Sequence, residues 1–182
     1  MSELTGSARL AEKLARLSSA ERLSSSVSSA DNRDKAVPII VCVGTDRSTG
    51  DAFGPLIGTF LREAGYPRVF GTLDDPWDSS NLAQRVTSLP HADFILAVDC
   101  CVGAELGKFR VQNRPLEPGK SMGKPLPSLG TAALLGVVAP NYGNPYSMLQ
   151  TASLCLVMEM ARLAAAAILA AYMGDGIARR TD

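Results

Sequence analysis

The sequence predicts a three-layer α/β/α domain built on a mainly parallel sheet. Two unbroken apolar and β-branched runs, Val37-Pro-Ile-Ile-Val-Cys-Val43 and Phe94-Ile-Leu-Ala-Val98, read as strands buried on both faces. Segments of helical spacing alternate with these and with shorter strand-like runs, the order that produces a parallel sheet covered on both sides. A chain of 182 residues, 46% hydrophobic and 20% charged, carries enough apolar side chain to fill one such core.

Taken in order, Leu10, Leu14 and Leu17 recur at helical spacing within residues 7–23, which predicts a short amphipathic helix. Residues 24–34 are serine-rich and bury little apolar surface, so residues 1–36 are expected to be a helix and flexible arm that add little to the fold. The domain proper is expected over 37–174, with 175–182 as a tail. After the first strand and the loop 45–50, Phe53, Leu56, Ile57, Phe60 and Leu61 predict a helix that Gly65 and Pro67 stop. Residues 69–73 read as a strand, 79–89 as a helix and 94–98 as the second fully buried strand. Residues 108–112 alternate like an edge strand, and 132–139 form another apolar strand before the turn Asn141-Tyr-Gly-Asn-Pro145. A single closing helix is expected over 146–173. Residues 148–173 are apolar enough to raise a membrane reading, but Glu159 and Arg162 near the middle favour a buried C-terminal helix and no membrane.

Composition narrows the function classes. Eighteen basic residues balance eighteen acidic ones, which leaves no electrostatic footprint for nucleic acid or anionic lipid. Cys42, Cys100, Cys101 and Cys155 form no CxxC pair and lie mostly in apolar stretches, as expected of free thiols in a reduced interior. The first 23 residues alternate charges with small residues and show no export signal, so a cytoplasmic protein is expected.

In a parallel sheet, chemistry gathers at the carboxyl ends of strands, here the loops after Val43 and Val98. The loop Gly44-Thr-Asp-Arg-Ser-Thr-Gly50 leads to Asp51 at the start of a helix, where it serves either as a helix cap or as a site carboxylate. Asp99 ends the second buried run, where it caps the turn before Gly103 or converges with Asp51 on one site. Such a pair can divide acid and base roles and activate water, or hold a divalent metal given a third ligand. His91 precedes its strand, at the end opposite Asp99, and reads as a surface residue rather than a ligand. Gly44 to Gly50 lacks the Gly-Lys-Ser/Thr of a P-loop and the three glycines of a dinucleotide fingerprint. Cys100 and Cys101 have no available histidine to act as base, which argues against a cysteine nucleophile. Asp74 and Asp75 follow a predicted strand and either line the same cleft or form a solvated turn before Pro76.

Together the motifs Val43-Gly-Thr-Asp-Arg-Ser-Thr-Gly-Asp51, Gly54-Pro-Leu56, Gly71-Thr-Leu-Asp-Asp-Pro76, Ala97-Val-Asp99 with Gly103, and Leu149-Gln150 resemble the sporulation protease family YyaC. The resemblance covers about residues 38–170. That family is related to the germination protease, which degrades small spore proteins, and more distantly to the hydrogenase maturation endopeptidases. It implies their three-layer α/β/α fold. It also implies an aspartic-type endopeptidase of spore formation or germination, cytoplasmic in spore or mother cell, acting on a protein or peptide substrate. Asp51 and Asp99 would be the catalytic acids, with Asp46, Arg47, Asp74 and Asp75 toward the substrate, and no cofactor. The chain departs from the family at Leu129-Gly-Thr131, which lacks an acid after the glycine, and at Pro140-Asn-Tyr-Gly143. The alternatives are a non-enzymatic sporulation protein with the same fold, or a hydrogenase-maturation-type protease with a divalent metal at Asp51 and Asp99. For the latter, no histidine is placed to complete a nickel site.

Overall fold

Five strands form one sheet in the order β2-β1-β3-β5-β4. The structure, a computed structural model, describes residues 2–24, 37–119 and 126–173. The strands are β1 (Ile39–Cys42), β2 (Val69–Phe70), β3 (Ile95–Gly103), β4 (Phe109–Gln112) and β5 (Ala132–Pro140). β1, β2, β3 and β5 run parallel, and the edge strand β4 pairs antiparallel with β5. Both runs expected to be inner strands are inner, because side chains on both of their faces are buried.

Among the described residues the helices are α1 (Ser2–Ser24), α2 (Phe53–Glu63), α3 (Leu82–Val86), α4 (Pro145–Gln150) and α5 (Leu154–Met173). The two faces of the sheet are covered unequally. Ile40, Cys42, Leu96, Val98, Cys100, Leu134 and Val138 meet α1, α2 and α5 in the larger core. Ile39, Val41, Val43, Ala97 and Ala133 face a smaller core closed by Trp77, Leu82, Leu116 and Leu129, where the short α3 supplies the helical cover.

Several expectations are corrected. The N-terminal helix forms, but it is core rather than arm: Leu10, Ala11 and Leu14 are buried, and the Tyr172 hydroxyl of α5 donates to the Leu14 carbonyl at 3.1 Å. The leucine stripe packs on the apolar surface of α5, and that burial offsets the entropy of ordering the segment. The serine-rich stretch 25–36 and the tail 174–182 lie outside the described residues. The closing helix is two helices. Asn144 caps α4 by accepting from Tyr146 and Ser147 N–H, and α5 restarts at Leu154 after a break at 151–153. α5 is long and apolar enough to cross a membrane by length and composition alone. Here its Val157, Met160, Ala161, Ala164, Ala165 and Ile168 are buried in the larger core. β2 and α3 are shorter than the predicted 69–73 and 79–89, whereas β3 runs on past Val98 to Gly103 because β5 lies beside it throughout.

Candidate active site

Strand β1 stops where β3 continues, and the site occupies that step. Cys42, the last residue of β1, lies opposite Val98, and the Val43 N–H donates to the Val98 carbonyl at 2.8 Å. From Asp99 onward β3 is paired with β5 alone. Side chains alternate along the strand, so Cys100 points with Val98 to the α2 face and Asp99 with Ala97 to the other. At the open edge of β3 both faces reach the same space. Asp99 therefore stands in mid-strand, not at a strand end, and it does not cap the turn before Gly103.

The chain leaves β1 through Gly44 at φ +143°, where an added methyl would overlap the Asp51 carbonyl oxygen. Thr45 N–H closes the loop on that carbonyl at 3.2 Å, and Gly44 N–H reaches the Trp77 carbonyl at 2.9 Å. Gly50 N–H docks the loop on the Leu149 carbonyl of α4 at 2.8 Å. Ala52 is the residue preceding α2 and no side chain caps that helix, so the capping role open to Asp51 is not the one it takes. Instead Asp51 Oδ1 accepts a hydrogen bond from the Cys100 thiol at 3.4 Å. Asp99 Oδ1 accepts one from the Cys100 backbone N–H at 2.8 Å.

Both carboxylates line a cleft of about 340 Å³ together with Thr45, Arg47, Ser48, Asp78 and Ser79, and with the apolar Val43, Leu126, Tyr146 and Leu149. Burial pushes the Asp99 carboxyl up to about 7, the Cys100 N–H pulls it down, and the charge of Asp51 adds to the rise. The Cys100 thiol is pushed well above its usual range by burial first and by the two carboxylates next, so it is a neutral donor and not a thiolate nucleophile.

The other anticipated residues divide. Arg47 lines the cleft, and its guanidinium pairs with Asp78 at 2.8 Å. Asp46 is exposed and does not line the cleft. Asp74 and Asp75 do not line it either, which corrects the expectation that they face the substrate. The bend in which Thr72 N–H meets the Asp75 carbonyl at 3.2 Å turns them outward, and Arg85 holds Asp75 from two sides at 2.8 and 2.5 Å. His91 is exposed at the amino end of the sheet, beside the Phe94 carbonyl that caps Ile39.

Two residues escaped the sequence reading. Asp78 is buried at 9% exposure. Burial alone would raise its carboxyl, but the Ser80 hydroxyl and N–H at 2.5 and 2.8 Å and the Arg47 guanidinium outweigh that and hold it below the usual range. The pattern Asp78-Ser-Ser-Asn81, a helix-start signature before α3, could have marked it. Ser48 is 6% exposed, and its hydroxyl has no hydrogen-bond partner among the described residues, an uncommon state for a buried hydroxyl. Nothing in the sequence singles it out.

A nickel or other metal site of the hydrogenase type does not fit these residues. The cleft is lined by Asp51, Asp99, a neutral Cys100 thiol and an Asp78 already engaged by Arg47 and Ser80, His91 lies at the far end of the sheet, and no group of three or more His, Cys, Asp or Glu able to hold a metal occurs among the described residues.

Residues 8–167 match the family described as Protein of unknown function (DUF1256). A curated protein described as "Uncharacterized protein YyaC", from Bacillus subtilis (strain 168), is 39% identical over 134 residues. The match covers 70% of this chain and 65% of the relative, so the chain spans a little under two thirds of that relative's length. The similarity to YyaC drawn from the motifs is thereby borne out. Among solved structures, a NiFe hydrogenase maturation protease, HycI from Thermococcus kodakarensis KOD1, aligns at 23% identity with a TM-score of 0.43, covering 75% of this chain and 94% of that one.

Proposed function

The chain belongs to the DUF1256 family, and we propose that it is an aspartic-type peptidase in which Asp51 and Asp99 activate water against a peptide bond. One observation carries the reading. Two carboxylates line one cleft, and burial together with the charge of Asp51 pushes the Asp99 carboxyl up to about 7. Near neutral pH a carboxyl raised this far holds a proton for part of the time, the condition for a general acid. Asp99 polarises the scissile carbonyl and protonates the leaving amine. Asp51, as carboxylate, takes the proton of the attacking water. No nucleophilic side chain is needed, in keeping with a Cys100 thiol held neutral.

The rest of the cleft suits a peptide. Val43, Leu126, Tyr146 and Leu149 offer apolar wall for substrate side chains, while Arg47 and Ser48 offer polar groups toward a main chain. Small spore proteins are the substrate class we propose, on the resemblance carried by the motifs from Val43 to Asp51 and from Ala97 to Asp99.

The test uses the full chain, because α1 belongs to the core. It is incubated with small spore proteins and with an unrelated unfolded protein, and discrete fragments are sought. Cleavage is expected, with Asp51→Asn and Asp99→Asn each reducing kcat by about a hundredfold or more. A preparation that binds these proteins without cutting them, or an Asp51→Asn variant that cuts as well as the parent, would refute the peptidase reading. The pH profile adds a second check: since the acid must carry its proton, kcat/KM should fall as pH rises past about 7.

A further inference from the structure

We propose that Cys100 is a positioning residue that sets the relative placement of the two site carboxylates, holding Asp99 with its backbone N–H and Asp51 with its thiol. The inference rests on the peptidase reading for its meaning in catalysis, but its geometry stands apart from it. In a parallel strand the N–H and carbonyl of alternate residues point to the same neighbour. The Val98 carbonyl points to β1, where it accepts from Val43 at 2.8 Å. The Cys100 N–H points the same way, but β1 has ended by then. Its free N–H is taken by Asp99 Oδ1 at 2.8 Å.

The Cys100 side chain leaves the other face of the strand, toward the loop that carries Asp51, and its sulfur lies 3.4 Å from Asp51 Oδ1. One residue thus touches both acids, one from the backbone and one from the side chain. That residue is itself fixed, because β3 pairs with β5 through Cys100 and Gly136. Cysteine suits the position on two counts. It is 8% exposed and packs in the larger core as a small apolar side chain, yet it retains one weak donor. Alanine would keep most of the packing and lose the donor. Serine would keep a donor.

The thiol donates to Asp51 while the backbone N–H donates to Asp99, and the thiol's proximity also lowers the Asp99 carboxyl. The titratable and charged groups around Asp99 are Asp51 from the loop before α2, Cys100 and Cys101 on its own strand, and Arg47 and Asp78, which line the same cleft.

Two measurements on the full chain test this without any substrate. The first is the infrared S–H stretching band of Cys100, isolated by subtracting the spectrum of Cys100→Ser. It should move toward the frequency of an unbonded thiol in Asp51→Ala, and it should move again as pH crosses the Asp99 titration near 7. The second is the titration of the Asp99 carboxyl by NMR. Cys100→Ala should move it upward, and Cys100→Ser should return it toward the parent value. A band indifferent to Asp51→Ala, or equal Asp99 titrations in parent, alanine and serine proteins, would overturn the proposal. The infrared arm still decides if the alanine variant fails to fold. If Asp51→Asn keeps full peptidase activity, the catalytic reading fails on its own. If that variant is inactive while both thiol measurements are flat, only the role of Cys100 falls.

Discussion

The loops that follow the neighbouring strands β1 and β2 both carry several aspartates, yet each delivers one acid to the cleft and turns the rest to solvent. After β1, Asp46 is exposed and Asp51 lines the cleft. After β2, Asp74 and Asp75 face outward and Asp78 lines the cleft. In both loops the acid nearer the following helix is the one that arrives. Proximity to the strand end is therefore a poor guide to position. What decides is where the loop backbone folds back and bonds: at Asp51 through the Thr45 N–H, and beside Asp78 through the Trp77 carbonyl, which accepts from Gly44.

The two delivered acids differ in how they are held. Asp78 is surrounded by donors that keep its carboxylate charged, whereas Asp51 receives a thiol and lies close enough to Asp99 to raise that residue's carboxyl. A carboxylate saturated with donors reads as structural, and one left near a second acid reads as chemical. The sharpest way to break the comparison is activity. Asp51→Asn should cost about a hundredfold or more in kcat, while Asp75→Asn, outside the cleft, should change it less than about twofold. Equal losses in the two variants would show that position in the cleft does not separate the acids.

Stability gives the next largest contrast, and the sign follows from linkage. Asp99 has a folded-state carboxyl raised to about 7 from its ordinary value of 3.8, so between those values the folded state binds the extra proton. Stability therefore falls as pH rises through that window, and above pH 7 the ionised group costs the most. Asp99→Asn mimics the protonated acid and keeps an acceptor for the Cys100 N–H. At pH 8 it should be more stable than the parent, and at pH 4 the two should match. Urea unfolding at the two pH values checks it. Equal stability at pH 8 would mean that Asp99 is not strained by its surroundings.

Much of this fold is legible from sequence and much of the site is not, for different reasons. The strand Ile39–Cys42 and the helix Phe53–Glu63 announce themselves because burial imposes an apolar run or a period of 3.6. β3 continues for five residues beyond the apolar run that predicts it, through Asp99, Cys100, Cys101, Val102 and Gly103, because its partner there is β5, far along the chain. No local pattern reports a distant partner. The break between α4 and α5 falls in Thr151-Ala-Ser153, where the Ser153 hydroxyl accepts from Leu156 N–H at 3.4 Å as α5 begins and the Leu149 carbonyl is taken by the Gly50 N–H. Asp51 and Asp99 are found by motif. Asp78 is hidden among three aspartates of the same segment, which only the path of the backbone tells apart. The leucines of α1 predict a helix but not its partner, so a segment that is core reads as an arm.

The smallest expected effects belong to the second loop and sharpen the comparison within it. Asp78 is buried and bonded to Ser80 and Arg47, and losing it strands those donors beside the Trp77 turn. Asp78→Ala should cost about 1–3 kcal/mol near neutral pH, the range for hydrogen bonds that involve a charged group. Because its folded carboxyl is held low, that contribution is present above the unfolded-state value and fades as pH falls through the folded one. Asp75 pairs with Arg85 through two short contacts, but the two side chains are 46% and 36% exposed. Solvent screening limits such a pair, so Asp75→Ala should cost under about 1 kcal/mol, and less at high salt. Asp74 is exposed, and Asp74→Ala should lie within about 0.5 kcal/mol of the parent. Urea unfolding of the three variants at low and high salt should rank them 78, 75, 74, with salt acting chiefly on the middle one. If Asp75→Ala proves the costliest, then the Asp75–Arg85 pair and not the Asp78 network holds this loop against the end of β1.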